Sequence, residues 1–206
     1  MSVLTRGHSR SALAVLLLSV ACVDGSDRTL APRSPAVPEP SADAARISDQ
    51  VNPADPSPAF NYAIGGNSNQ QLAQTVTPSV SGFLTAILVP VSCAPGASLT
   101  LEIRNVDPTG APGTRLRATS VFPDREFPPF TTPAALVALR VFPHVELAMG
   151  RPFAFVLRAQ GSCGMVPALR GDTYAAGAGW YDARPNLPGW VALGGDLAFT
   201  TRMLTP

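Results

Sequence analysis

From residue 83 onward the apolar residues recur at every second position in short runs, and proline and glycine fall between the runs. That period leaves few folds open, because residues two apart share one face of a strand. Leu99, Leu101 and Ile103 alternate with Thr100, Glu102 and Arg104, giving one apolar and one wet face. Val137, Leu139 and Val141 do the same against Ala138 and Arg140. Phe83, Thr85, Ile87, Val89 and Val91 alternate with Leu84, Ala86 and Leu88. Phe153, Phe155 and Leu157 follow, and later Leu197, Phe199, Thr201 and Met203. Turn signals separate them, as at residues 94–96, 107–113, 148–150 and 194–196. No sustained helical period competes. Short strands at spacings of about 10 to 20 residues predict an all-β fold, an antiparallel β-sandwich.

The chain divides into three parts. Residues 1–22 carry arginines at 6 and 10, then an uncharged apolar run ending in small residues and Cys22. This is the build of a secretory signal, and the run falls short of the roughly 20 residues a bilayer span needs. Residues 23–58 are rich in Pro, Ala, Ser and Asp and lack aromatics. Such a stretch buries too little apolar surface to offset its ordering entropy, so it reads as a disordered linker. Its one helical hint, residues 41–48, is too short to persist alone. Residues 59–206 have the size of one β-sandwich domain.

The end of the apolar run, LSVAC, resembles the lipobox of bacterial lipoproteins. Ser19 stands where leucine is usual, with Leu18 one step further out, and Ala21 before the cysteine fits. The resemblance implies that Cys22 is a lipid anchor to a membrane. Val23 after it is similar to outer-membrane sorting signals. The other outcome of the same run is ordinary cleavage and a freely secreted protein. Either way the domain is exported to the cell envelope or beyond. With Cys22 used as the anchor, Cys93 and Cys163 remain, and an even remainder in an exported domain suggests a disulfide joining two loop ends. The alternatives are a reactive thiol or a metal ligand.

The order of pieces over residues 70–204 resembles a bacterial extracellular β-sandwich module of jelly-roll type, similar in shape to carbohydrate-binding modules. The stretches that carry the resemblance are QTVTPSVSGFLT from Gln74, LEIRNVDPTGAPG from Leu101 and VELAMGRPFAFVL from Val145. Tyr174 with AAG after it, Trp190, and DLAFTT from Asp196 complete the series. Phe153 stands where that module usually has tyrosine, and the Cys93–Cys163 pair is not one of its general features. The resemblance implies a fold and a location, not an activity.

Ten arginines oppose eight acids in residues 59–206, and the chain has no lysine. A net charge of about +2, scattered, excludes a nucleic-acid footprint. Asp107 in the 107–113 hairpin offers a calcium ion one carboxylate where six to eight oxygens are wanted. Turn chemistry explains the loop better. His144 is the one histidine beyond residue 22, so any Ser-His-Asp hydrolase would need it, yet no nucleophile elbow accompanies it. Glu126 and Glu146 are a conceivable carboxylate pair, without flanking aromatics. No catalytic residue, metal or cofactor is therefore expected. The site-like stretch is residues 172–190, which hold four of the five Tyr and Trp residues. Asp172, Tyr174, Trp180, Tyr181, Asp182, Asn186 and Trp190 combine flat rings with polar groups, as a sugar site does. The same rings also suit the cap of a sandwich core. The expected function is a non-catalytic surface-binding module with a glycan as ligand. The rival is a protein-interaction or structural module using a sheet edge or residues 121–133.

Overall fold

The computed structural model describes residues 45–58, 60–130, 135–169, 173–184 and 189–206. Cys22, the signal and most of the expected linker lie outside the described residues, as do Asp172 and Asn186. The described chain is strand, turn and two single-turn 3-10 segments, and it contains no α-helix.

Twelve strands form two antiparallel sheets. The first sheet contains β1 (Ala45–Asn52), β2 (Tyr62–Gly65), β4 (Gly82–Cys93), β7 (Leu136–Leu147), β9 (Ser162–Met165) and β12 (Phe199–Thr205). Their order is β1-β12-β4-β9-β2, with β7 also paired to β4. The second sheet contains β3 (Gln71–Val76), β5 (Ser98–Val106), β6 (Pro112–Pro123), β8 (Phe153–Gln160), β10 (Gly179–Asp182) and β11 (Val191–Ala192). Its order is β11-β10-β3-β8-β5-β6. One core lies between the sheets, the arrangement of a β-sandwich. Leu84, Ile87 and Val89 of β4 belong to it, as do Leu99, Leu101 and Ile103 of β5. The rings of Phe155 and Phe199 meet edge-on across it at 5.5 Å, and each such buried ring contributes about 1.5–3 kcal/mol.

Two expectations about strands need correction. β1 lies inside the stretch read as linker, and it covers half of the helical hint. It is held by pairing with β12, from Ala45↔Thr205 to Asn52↔Phe199. Its faces alternate poorly because the pairing shifts between Ser48 and Val51. The alternation in β4 is also broken. A register shift between Leu84 and Ala86 turns Leu84 inward with Ile87, so Phe83 and Thr85 do not share the buried side.

Cys93 and Cys163 form a disulfide. They are register partners on β4 and β9, both buried, so the bridge links two strands and not two loop ends.

Candidate functional site

β10 pairs with β3, and strand alternation splits its aromatic residues between the two faces of the sheet. Tyr181 lies opposite Leu72, which is fully buried, and packs against the core. Trp180 lies opposite Ala73 and Ala192, on the outer side of the second sheet. Its indole Nε1 is buried without a hydrogen-bond partner among the described residues.

Tyr174 is 7% exposed and belongs to the core cluster, its ring 5.1 Å from that of Phe199. Its hydroxyl donates to Gln50 Oε1 at 3.0 Å and accepts from the Thr77 amide at 3.2 Å. Burial first, then the charges of Asp49 and Asp196, pushes the phenol above its ordinary range. The loop that carries it runs hard against β3. A Cβ at Gly177 would stand 1.8 Å from the Thr75 carbonyl oxygen, so only glycine permits the approach.

Asp196 anchors this end of the core. It is 1% exposed, and its carboxylate accepts from Gln74 Nε2 at 2.8 Å and from the Thr173 and Tyr174 amides at 3.0 and 2.7 Å. Gln74 returns its carbonyl to the Leu197 amide at 2.8 Å. Asn52 of β1 donates to the Leu197 carbonyl and accepts from Thr173 Oγ1. Paired in this way, the buried polar groups avoid the cost of an unmade hydrogen bond. They tie β1 and β3 to residues 173–174 and to residues 196–197 just ahead of β12, which gives Tyr174 and Asp196 a structural role.

The outer face of the second sheet is built differently. Register sets Trp180, Ala73, Val156 and Glu102 in one row across β10, β3, β8 and β5. Ala73 and Val156 are fully buried although they point away from the core, so larger neighbours close over them. Glu102 accepts from Arg104 Nε at 2.7 Å and from Arg158 Nη1 at 2.9 Å. Asp182, fully buried, accepts from the Arg184 side chain at 2.9 Å and from its amide at 3.1 Å. That carboxylate is the main reason the Arg184 guanidinium is held more strongly protonated than usual. Between the two ion-pair groups lies a cavity of about 260 Å³ lined by Asn69, Gln71, Arg158, Ala159 and Arg184.

The expected site therefore separates. Trp180 and Asp182 stand on the outer face, Tyr174 and Tyr181 turn to the core, and Trp190 is half-buried just before β11. Asn69, Gln71 and Arg158 had no signal in the sequence. They come from β3, the turn before it and β8, and only the sheet order brings them beside Arg184.

Asp107 Oδ1 accepts from the Thr109 amide and hydroxyl and from the Ala111 amide, as a turn-forming aspartate does. Glu126 lies in a 3-10 turn and Glu146 in β7. His144 is exposed on β7 of the first sheet. Among the described residues no group of three His, Cys, Asp or Glu could hold a metal ion. The chain matches no protein-family model, and no curated protein matches it.

Proposed function

We propose that the chain is an exported, non-catalytic binding module of jelly-roll type that takes a glycan on the outer face of its second sheet. Cys22 is its lipid anchor at the envelope, in the outer membrane. The observation that carries this reading is the polar cavity lined by Asn69, Gln71, Arg158, Ala159 and Arg184. Asn69 and Gln71 supply amide donors and acceptors, and Arg158 and Arg184 supply guanidinium donors already oriented by Glu102 and Asp182. Trp180 adds a flat apolar surface in the adjacent row, two residues from Asp182. Few fixed polar groups next to one aromatic surface is the composition of a small-ligand site. Affinity electrophoresis through polysaccharide gels tests it. The parent should be retarded in at least one gel, and Trp180→Ala or Gln71→Ala should lose about tenfold in affinity. No retardation in any gel, or retardation untouched by both variants, overturns the reading. Mass spectrometry of the mature chain tests the anchor, which requires acyl mass on Cys22.

A second reading rests on β6. This twelve-residue strand closes one edge of the second sheet and exposes Leu116 and Val121. Long edges with exposed apolar side chains invite strand addition by another chain. Cross-linking in intact cells that yields one dominant protein partner through β6 favours this module over the glycan reading.

A further inference from the structure

The outer face of the first sheet carries a second surface of different chemistry. Arg202 of β12 and Arg140 of β7 flank Ala86 of β4 from opposite sides, and Arg46 of β1 lies opposite Leu204. Ala86 pairs with Arg140 and Leu84 with Val145, so residues 141–144 bow out of β7 opposite Thr85. Phe142 rides on this bow with 77% of its surface exposed. These arginines, Phe142 and His144 border a groove of about 730 Å³ with Thr85, Ala86, Leu88 and Ala138 along it.

Among the described residues, Arg46, Arg140 and Arg202 have no ion-pair partner; the ion pairs all lie on the second sheet. Of the nearby carboxylates, Asp49 is engaged by the Ser79 amide and hydroxyl. Glu146 lines a neighbouring cleft together with Arg117 and Arg151. No carboxylate or amide side chain lines the groove itself. A neutral saccharide, which needs acceptors as well as donors, is poorly served there. An amphiphile with an anionic head is well served. Guanidinium groups suit phosphate oxygens, and an exposed ring with an apolar floor suits the boundary beneath the headgroups.

We propose that this face docks on an anionic phospholipid bilayer. Arg46, Arg140 and Arg202 engage lipid phosphates, and Phe142 enters the headgroup boundary. Charge complementarity selects the occupant, and the chain outside the structure agrees with it. Only the 22 residues 23–44 separate Cys22 from β1, and β1 meets the groove at Arg46. A lipid anchor and a cationic face are the two signals that stable membrane attachment takes. The tether argument rests on the anchor reading above; the groove argument does not.

The test is co-sedimentation of the full chain, carrying Cys22→Ser, with vesicles of phosphatidylglycerol and phosphatidylcholine or of phosphatidylcholine alone. The apolar N-terminal run contributes equally to every variant. The parent should bind the anionic vesicles at least about tenfold more tightly, and salt should weaken the preference. Replacing the three arginines by glutamine should lose on the order of 100-fold, and Arg202→Gln alone about fivefold. Phe142→Ala should lose about tenfold, and Arg125→Gln, off this face, less than about twofold. Should the triple variant fail to fold, the single variants decide. Equal binding to both vesicle types, or full binding by the arginine variants, overturns the proposal. Retention by an acidic polysaccharide without vesicle preference reassigns the groove to a glycan. The glycan test above reads the other sheet, so either proposal can fail alone.

Discussion

The two outer faces of the sandwich handle charge in opposite ways. On the second sheet Glu102 is shared by Arg104 and Arg158, and Asp182 holds Arg184, so the described guanidinium groups at its centre are oriented from within. On the first sheet Arg46, Arg140 and Arg202 border a groove with no such partner among the described residues. Charge tied into pairs orders strands and presents a fixed pattern of donors. Charge left open does nothing for the fold and remains available to something outside it.

The largest effect tests what holds the first sheet in place of ion pairs. Its covalent link joins Cys93 and Cys163, 70 residues apart. Replacing both by alanine should lower the unfolding free energy by about 4 kcal/mol, read from guanidinium denaturation. A loss below about 1 kcal/mol would leave that sheet without its strongest tie. The next effect tests whether the pairs on the second sheet bear on stability. Glu102 has a side chain only 8% accessible, while Arg158 is half exposed, so solvent screens part of the interaction. Glu102→Gln should cost about 2 kcal/mol in urea titration, and a loss under about 0.5 kcal/mol would make the two faces alike. The smallest effect belongs to the open charges. Arg202→Gln should change stability by less than about 0.5 kcal/mol, and a loss above about 1 kcal/mol in the same titration would give this arginine a structural role and break the contrast.

Much of the fold was legible where a run of residues keeps its alternation. Leu99, Leu101 and Ile103 point inward as their spacing predicts, and so do Leu197, Phe199, Thr201 and Met203. The even remainder left when Cys22 is set aside as the anchor suggested the Cys93–Cys163 bridge that the structure contains. Legibility failed where a bulge or an edge removes the period. β4 changes face at its register shift. β1 turns few apolar side chains to the core and is defined by a partner some 150 residues away, which no local pattern reports. The candidate site was half legible. Aromatic residues with polar neighbours look alike in sequence whether they cap a core, as Tyr174 does, or line a surface, as Trp180 does. What separates them is strand parity, and the short β10 becomes visible only through its pairing with β3.

The pairing of β1 with β12 also constrains how the domain can be made. β12 sits between β1 and β4, so a strand made late fills a slot between two strands made long before it. A nascent chain cannot close the first sheet until Phe199–Thr205 has left the ribosome, and until then β1 and β4 each present an open edge to their surroundings. A chain cut before Phe199 loses the seam that joins β1 to β4.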